Sequence, residues 1–397
     1  MALSDLIAVD RESLGWIKEE TAFATEVKPA AANQFLVAGE GSINQQIGFI
    51  EDAQRRNTYS QLRRFAGRFN PGEARLPIYI KPSGTVDVPP EGSEFLKGLL
   101  GRESISAGVS VSYLLQRVVD VLPSHTLWLK QGGFVYRCLG LIVNAGRFPL
   151  RADNSPEAVS QAAFECMFAE LRWTGTDTAN ETISTIQTDL TVVDAKKFTV
   201  GSYIQKRDQS SGAIDNNTDA GFQVTAVNYS TNVLTISPGI TNTNIGDYIE
   251  PWTPAVAAEV GVPIHGRLGS CTLGGANLPL VSGEIALDNQ LKMLNEEKNG
   301  LSFANRFARR SVRKVSVKAD IYFDGNGSKY FYNAPNQVRG DFVFPWGTTT
   351  AAKFTLTAKN VELSSPSIAG GEEKIMTLEG EAFASSSLDD ELVGLFN

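Results

Sequence analysis

The sequence is poor in the side chains that most often carry chemistry. It holds two histidines, His125 and His265, and three cysteines, Cys138, Cys166 and Cys271, in 397 residues. No Cys-x-x-Cys or His-x-x-x-His pair brings ligands toward one ion, which excludes the common zinc sites. The cysteines are odd in number, widely separated and set in apolar runs. They read as buried free thiols of a protein made in a reducing cytoplasm. The Gly-x-Ser-x-Gly elbow of the hydrolases is missing, and so is the Gly-x-x-x-x-Gly-Lys-Ser/Thr phosphate loop. No stretch approaches the roughly 20 apolar residues of a membrane helix, and MALSDLIAVD is too short and too acidic for an export signal. An excess of positive charge is absent as well. With 36 Lys and Arg against 44 Asp and Glu, the net charge is -8, the wrong sign for a protein that grips phosphate backbones.

What is present speaks for a folded, β-rich chain. Hydrophobic residues make up 42% and charged residues 20%, far from the composition of disorder. Short Val-, Ile-, Phe- and Thr-rich runs are punctuated by Gly and Pro, as in strands joined by turns. GSEFLKGLLG, from Gly92 to Gly101, is the best helix: Phe95, Leu96, Leu99 and Leu100 share one face, Ser93 stands in capping position and Gly101 lies just past the end. TLWLKQGGFVYRCLGLIVNAG predicts a hairpin turning at Gly132-Gly133, and AAFECMFAEL alternates as a further strand. From about residue 184 to 254 the texture turns Thr- and Asn-rich. FTVGSYIQKR, GFQVTAVNYS, NVLTISPGI and DYIEPW read there as a small inserted β-barrel or sandwich.

An internal repeat organises the rest. VAGEGSINQQIGFI, from Val37, and VSGEIALDNQLKML, from Val281, share Val, Gly, Glu and Gln positions and differ mostly by conservative exchanges. An Arg-Arg pair (Arg63 and Arg64, then Arg309 and Arg310) and an Ile-Tyr pair (Ile78 and Tyr79, then Ile321 and Tyr322) recur at similar offsets. Three repeated features at matched spacing imply duplication. The expected organisation is two related β domains, 1–183 and 255–397, each with its own core, around an insertion at 184–254. Two similar surfaces on one chain can repeat one contact and build a pseudo-symmetric closed assembly.

The remaining candidates for chemistry are weak. DGNGSK at Asp324 lacks the later acidic ligands of a calcium loop and reads as a hairpin turn between IYF and YFY. His125 reads as a turn residue and His265 as a strand edge or loop. The acidic pairs Glu296-Glu297, Glu372-Glu373 and Asp389-Asp390 read as solvated surface rather than a glycosidase pair. The arginines of RRFAGRF (Arg63, Arg64, Arg68) and RFARRSVRK (Arg306, Arg309, Arg310) could bind nucleic acid. In an acidic chain they fit contact with acidic surfaces of a neighbouring subunit better. No catalytic residue, metal or cofactor is expected.

GWIKEETAFATEVKPA followed by a strand and an Arg-rich loop, LGSCTLGGANLPLVSGEIALDN in the second copy, and an insertion ending in GDYIEPWTP resemble the tail tube (major tail) proteins of long-tailed bacteriophages. The resemblance implies β-sandwich or barrel-like tube domains with a short flanking helix, joined into rings that stack around a channel for DNA. With two such domains per chain it implies a trimeric ring of pseudo-sixfold symmetry. The insertion would lie on the outside. It also implies a place in the virion tail after assembly in the host cytoplasm, with tape-measure, terminator and tip proteins as partners, DNA passing without specific binding and no membrane. A lumen that repels phosphate suits an acidic protein, and the acidic candidates for it are Glu40, Glu284, Glu379 and Glu381. The alternative is a tail-tip, baseplate or receptor-binding virion protein whose insertion binds a host glycan. A carbohydrate-active enzyme is a third reading, without a convincing acid/base pair.

Overall fold

The computed structural model describes residues 14–397 apart from 40, 53–63, 119, 152, 154, 156–157, 298–299, 325–326, 365 and 370–373. Glu40, Arg63, Glu372 and Glu373 therefore lie outside the described residues. The fold is mainly β. The first half runs β1 (Leu14–Glu19), β2 (Gln34–Leu36), β3 (Ser42–Asn44), β4 (Ile47–Glu51), β5 (Arg64–Phe69), β6 (Gly72–Tyr79), α1 (Ser93–Leu100), β7 (Gly101–Ser106), β8 (Ser110–Leu115), β9 (His125–Gln131), β10 (Phe134–Arg151), β11 (Gln161–Phe168) and β12 (Glu170–Thr174). Helix α1 buries Phe95, Leu96, Leu99 and Leu100, and Gly101 ends it at φ +101°, a conformation only glycine adopts freely. Gly92, not Ser93, is its N-cap.

An inserted sheet follows: β13 (Asp177–Thr178), β14 (Gln187–Thr191), β15 (Tyr203–Arg207), β16 (Ile214–Asp215), β17 (Phe222–Asn228), β18 (Val233–Ile240) and β19 (Tyr248–Pro251). Among the described residues its strands pair only with one another, in the order β13-β19-β15-β17-β18-β14 with β16 on β15, over a core of its own that includes Phe198, Phe222, Leu234 and Ile249. It begins at Asp177, several residues ahead of the change in texture.

The second half runs β20 (Thr272–Leu273), β21 (Ala276–Asn277), β22 (Leu280–Asp288), β23 (Leu291–Leu294), β24 (Arg306–Arg309), β25 (Lys314–Tyr322), α2 (Ser328–Asn333), β26 (Arg339–Thr349), β27 (Ala352–Leu363), β28 (Ser367–Ala369), β29 (Ile375–Glu381) and β30 (Leu392–Phe396). The YFY run after DGNGSK is helical in α2, not a returning strand. Of its aromatic residues Tyr330 is buried, while Phe331 and Tyr332 are exposed.

The two halves repeat one topology. In the first, β1 pairs with β2 and β9, β9 with β10, β10 with β11 and β12, β11 with β6, and β6 with β3. In the second, β20 pairs with β21 and β26, β26 with β27, β27 with β29 and β30, β29 with β25, and β25 with β22. The register repeats too. Ser42, Ile43 and Asn44 face Arg75, Ala74 and Glu73, and their sequence counterparts Ala286, Leu287 and Asp288 face Ser316, Val315 and Lys314. Carried along without a gap, this correspondence sets Arg68 beside Arg309 and Ile78 beside Ala319. The Arg-Arg and Ile-Tyr matches read from the sequence are thus out of step, because a short motif match tolerates slips that a paired register does not.

The expectation of a separate core for each half does not hold. A single apolar cluster takes Phe35, Phe95, Phe148 and Phe164 from the first half and Ile285, Val317, Trp346 and Phe354 from the second. First-half strand β8 pairs with second-half β30, Leu114 opposite Val393, and β10 pairs with β22. Strand β10 reaches all its partners by bulging: its register with β9 shifts between Cys138 and Leu141, where Gly140 sits at φ +63°. A Cβ there would lie 3.0–3.1 Å from Phe23, Ala24 and Ala169. Strand β27 shifts opposite Gly340 and Phe342, with Asn360 at φ +47°. Each half thus turns its long strand with a residue type that tolerates positive φ.

A buried ion pair fastens the insertion to the first half. Arg137, 1% exposed, donates to both Glu26 carboxylate oxygens at 2.7 and 2.9 Å, to Thr199 Oγ1 at 2.8 Å and to Ser202 Oγ at 3.1 Å. Arg172 donates to Glu26 at 3.2 Å from the other side. Removing one partner of such a pair strands a buried charge. Glu26→Ala should therefore cost about 3–5 kcal/mol in urea unfolding, and an unchanged midpoint would refute the anchoring role.

Candidate assembly surface

The β10·β22 pairing, from Ala145 opposite Asp288 to Arg151 opposite Ser282, makes one sheet of both halves in the order β3-β6-β11-β10-β22-β25-β29. Alternation divides its faces. One face carries Leu76, Phe164, Phe148, Ile285, Val317 and Leu378 into the core. The other is polar. Its acidic residues Glu73, Glu165, Glu284, Asp288, Asp320, Glu379 and Glu381 outnumber its basic residues Arg75, Arg147, Arg151, Lys314 and Lys318.

Charges on this face are ordered across the strands. Glu284 stands opposite Lys318, and Lys318 opposite Glu379. Lys318 Nζ lies 3.0 Å from the Glu379 carboxylate and Lys314 Nζ 3.7 Å from Glu381. Arg147 meets Glu165 at 3.2 Å. Asp320 accepts from Ser282 at 2.9 Å and from Thr377 at 2.6 Å. The hydrogen bond from Lys318 to Glu379 raises the lysine's pKa above its ordinary value. The structure thus brings Glu284, Glu379 and Glu381 onto one solvent-facing surface, beside a shallow groove that Glu362 and Phe383 also line.

The edges of this sheet are related by the repeat. Strand β22 is the counterpart of β3, and β27 with β28 is the counterpart of β10, since both pack on the equivalent strands β11 and β29. The two strands that meet at the internal seam therefore have their equivalents at the sheet's two ends. Among the described residues β3 pairs only with β6, and β28 only with β29. Ser367, Ile368 and Ala369 of β28 are all exposed.

Each half also sends out a hairpin, β4–β5 and β23–β24, and these carry the candidate arginines. Arg68 donates to the carbonyl of Asn295 at 2.5 Å and to that of Glu297, and Phe69 N donates to Ser302 O at 2.8 Å. Arg306 pairs with the Glu297 carboxylate. Arg309 donates to Asn289 O at 2.7 Å and to Gln116 Oε1 at 2.9 Å, and Arg310 reaches Gln290 Oε1 at 3.4 Å. The Arg64 guanidinium lies 3.8 Å over the Phe49 ring. The described arginines thus bind first within their own chain, Arg68 and Arg309 to backbone carbonyls and the others to side chains, and Arg68 clasps one hairpin to the other. Sequence reading had no signal for these partners, which are distant in the chain. It also passed over the apolar residues of the hairpins, of which Phe49, Ile50, Phe65 and Phe69 are exposed.

Among the described residues no group of His, Cys, Asp and Glu is placed to hold a metal, and no helix is long and apolar enough to cross a membrane. His125 is fully buried at the start of β9 with Nε2 3.3 Å from Glu94, inside the fold rather than in a turn. Cys138, Cys166 and Cys271 are free and buried, and burial pushes all three thiols up, Cys271 to about 12. They stay protonated and unreactive at neutral pH. No protein-family model matches the chain, and no curated protein matches its sequence.

Arg68→Ala should free the clasp between the hairpins while leaving the main core folded. Hydrogen exchange should then rise around Asn295 and Ser302 with little change in the strands of the core. Equal protection in variant and parent would refute the clasp.

Proposed function

We propose that the chain is a structural subunit that joins copies of itself head to tail into rings, and that the rings stack into the tail tube of a long-tailed bacteriophage. One observation carries the reading: a strand seam already made once inside the chain, β10 on β22, leaves the equivalent edges, β28 and β3, at opposite ends of the same sheet. An edge that can pair and is not covered is a template for another chain. A contact between different edges repeats from copy to copy, and it closes into a ring when the rotation per copy allows. Two seams per chain, one internal and one between chains, favour a trimer with pseudo-sixfold symmetry.

The polar face of the sheet supports the channel half of the reading. It is wet, acidic on balance and covered by cross-strand ion pairs, so it presents phosphate with repulsion and few free cations. Glu284, Glu379 and Glu381 are its lumen candidates. DNA would pass without a specific site, and the separately cored insertion would decorate the outside. In this reading the subunit belongs to the virion tail, is assembled in the host cytoplasm and meets tape-measure, terminator and tip proteins at the tube's ends.

Electron microscopy of the purified protein at rising concentration, with mass measured in solution, should show hollow tubes of stacked rings with three chains in each. A single ring that never lengthens would shift the reading to a tip or receptor-binding protein, and a monomer at every concentration would refute self-assembly. Replacing Glu284, Glu379 and Glu381 together by Lys should leave subunits folded but make tubes retain double-stranded DNA at low salt, with release as salt rises. Retention no greater than the parent's would remove the face from the channel.

A further inference from the structure

The repeat makes one apolar residue conspicuous by its exposure. In the second-half hairpin β23–β24, Leu291 and Met293 are buried, Met293 to 2%. They lie in an apolar cluster with first-half residues Ile142 and Ala169, against which Met167 and Phe23 pack, and the Phe307 ring lies tilted at 5.6 Å from that of Phe23. The second half's hairpin therefore rests on the first half. The gap-free correspondence that equates β3 with β22 sets Phe49 of hairpin β4–β5 beside Met293. Phe49 is 47% exposed, with the Arg64 guanidinium 3.8 Å over its ring.

The same correspondence identifies the matching seat. Arg75 faces Glu165 on β11, and its counterpart Ser316 faces Glu381 on β29, so Glu381 holds the place of Glu165. Two residues on, Phe383 holds the place of Met167. Phe383 is 37% exposed and carries the Arg339 guanidinium 4.6 Å over its ring, with Arg339 paired to Glu362 at 3.1 Å. Hairpin and seat are thus both present on every chain, at opposite ends of its sheet.

We propose that the β4–β5 hairpin docks on the second half of a neighbouring copy of this chain, with Phe49 packed against Phe383. The proposal rests on the head-to-tail reading above and names its contact. The occupant is a second copy because the chain already buries the equivalent hairpin on its own first half in the same sense as the seam. A neighbour joined through β28 and β3 brings its first half, and with it β4–β5, to the side where Phe383 lies. The arginines over the two rings shield them in the free subunit by cation–π contact. On docking, ring meets ring, and Glu362 offers Arg64 a carboxylate in place of the Phe49 face.

The test joins Phe49→Cys and Phe383→Cys in one chain. The native thiols are buried, so a short bis-maleimide reacts at the new sites. The double variant, assembled, should give covalent ladders at multiples of the chain mass on a denaturing gel, and neither single variant should. Phe49→Asp, at an exposed position, should keep the parent melting temperature and raise the concentration needed for assembly by at least about tenfold, as loss of an interface anchor does. If the parent assembles while the double variant gives no ladder and Phe49→Asp assembles at the parent concentration, the docking is overturned and self-assembly stands. If the parent itself never assembles, both are overturned.

Discussion

The arrangement depends on a single strand that serves two sheets. Strand β10 spans 18 residues and pairs with β9 and β12 over its first part, then with β11 and β22 over its second. A straight strand cannot present its edges to both sets, because a sheet twists steadily and each edge holds one neighbour at a time. The bulge at Gly140 bends the strand between the two sets. A side chain there would press on Phe23, Ala24 and Ala169, so the bend favours a residue without Cβ. Strand β27 makes the equivalent turn at Asn360, whose short polar side chain tolerates the left-handed region. The shared core, the β10·β22 seam and the placement of the free edges all follow from that bend.

The polar face and the apolar hairpins divide the work of the surface. Exposed ion pairs such as Lys318–Glu379 and Lys314–Glu381 contribute little to stability in water. Their effect is to keep a broad sheet face from sticking to another sheet, and to fix its electrostatic character. The exposed rings do the opposite. Phe49, Ile50 and Phe65 lie within one small hairpin, and grouped apolar side chains on a surface mark a place where another surface belongs.

Much of the fold could be read from the residues. Helix α1 showed in its apolar spacing and closing glycine, the Gly132-Gly133 hairpin in its turn residues, and the insertion in its change of texture. The repeat was visible in VAGEGSINQQ and VSGEIALDNQ because backbone constraints and core positions there allow few exchanges. Elsewhere the sequence misled. SKYFYN looks like strand because aromatic residues favour sheets, yet packing against the shared core holds it as a helix. The arginine clusters looked like free adhesive, since nothing local reveals the carbonyls of Asn295 and Glu297 that occupy Arg68. Glu379 and Glu381 could be placed on one face by alternation alone, but their neighbours Lys318 and Glu284 come from strands far away in sequence. The sharing of one core by both halves was likewise invisible, because it arises from β8 on β30 and β10 on β22, pairings that no window of sequence contains.

The pairing of β8 with β30 also bears on the order of events in making a subunit. Leu114 meets Val393 across most of the chain, a long loop to close, and contacts so distant form late and slowly. Until they form, the edge of β27–β28 is not held in shape, since β27 is gripped between β26 and β30. A half-made chain therefore has no finished edge there. If copies join through that edge as proposed, completion of the fold is what permits joining, and premature growth is held back by topology without any separate inhibitor.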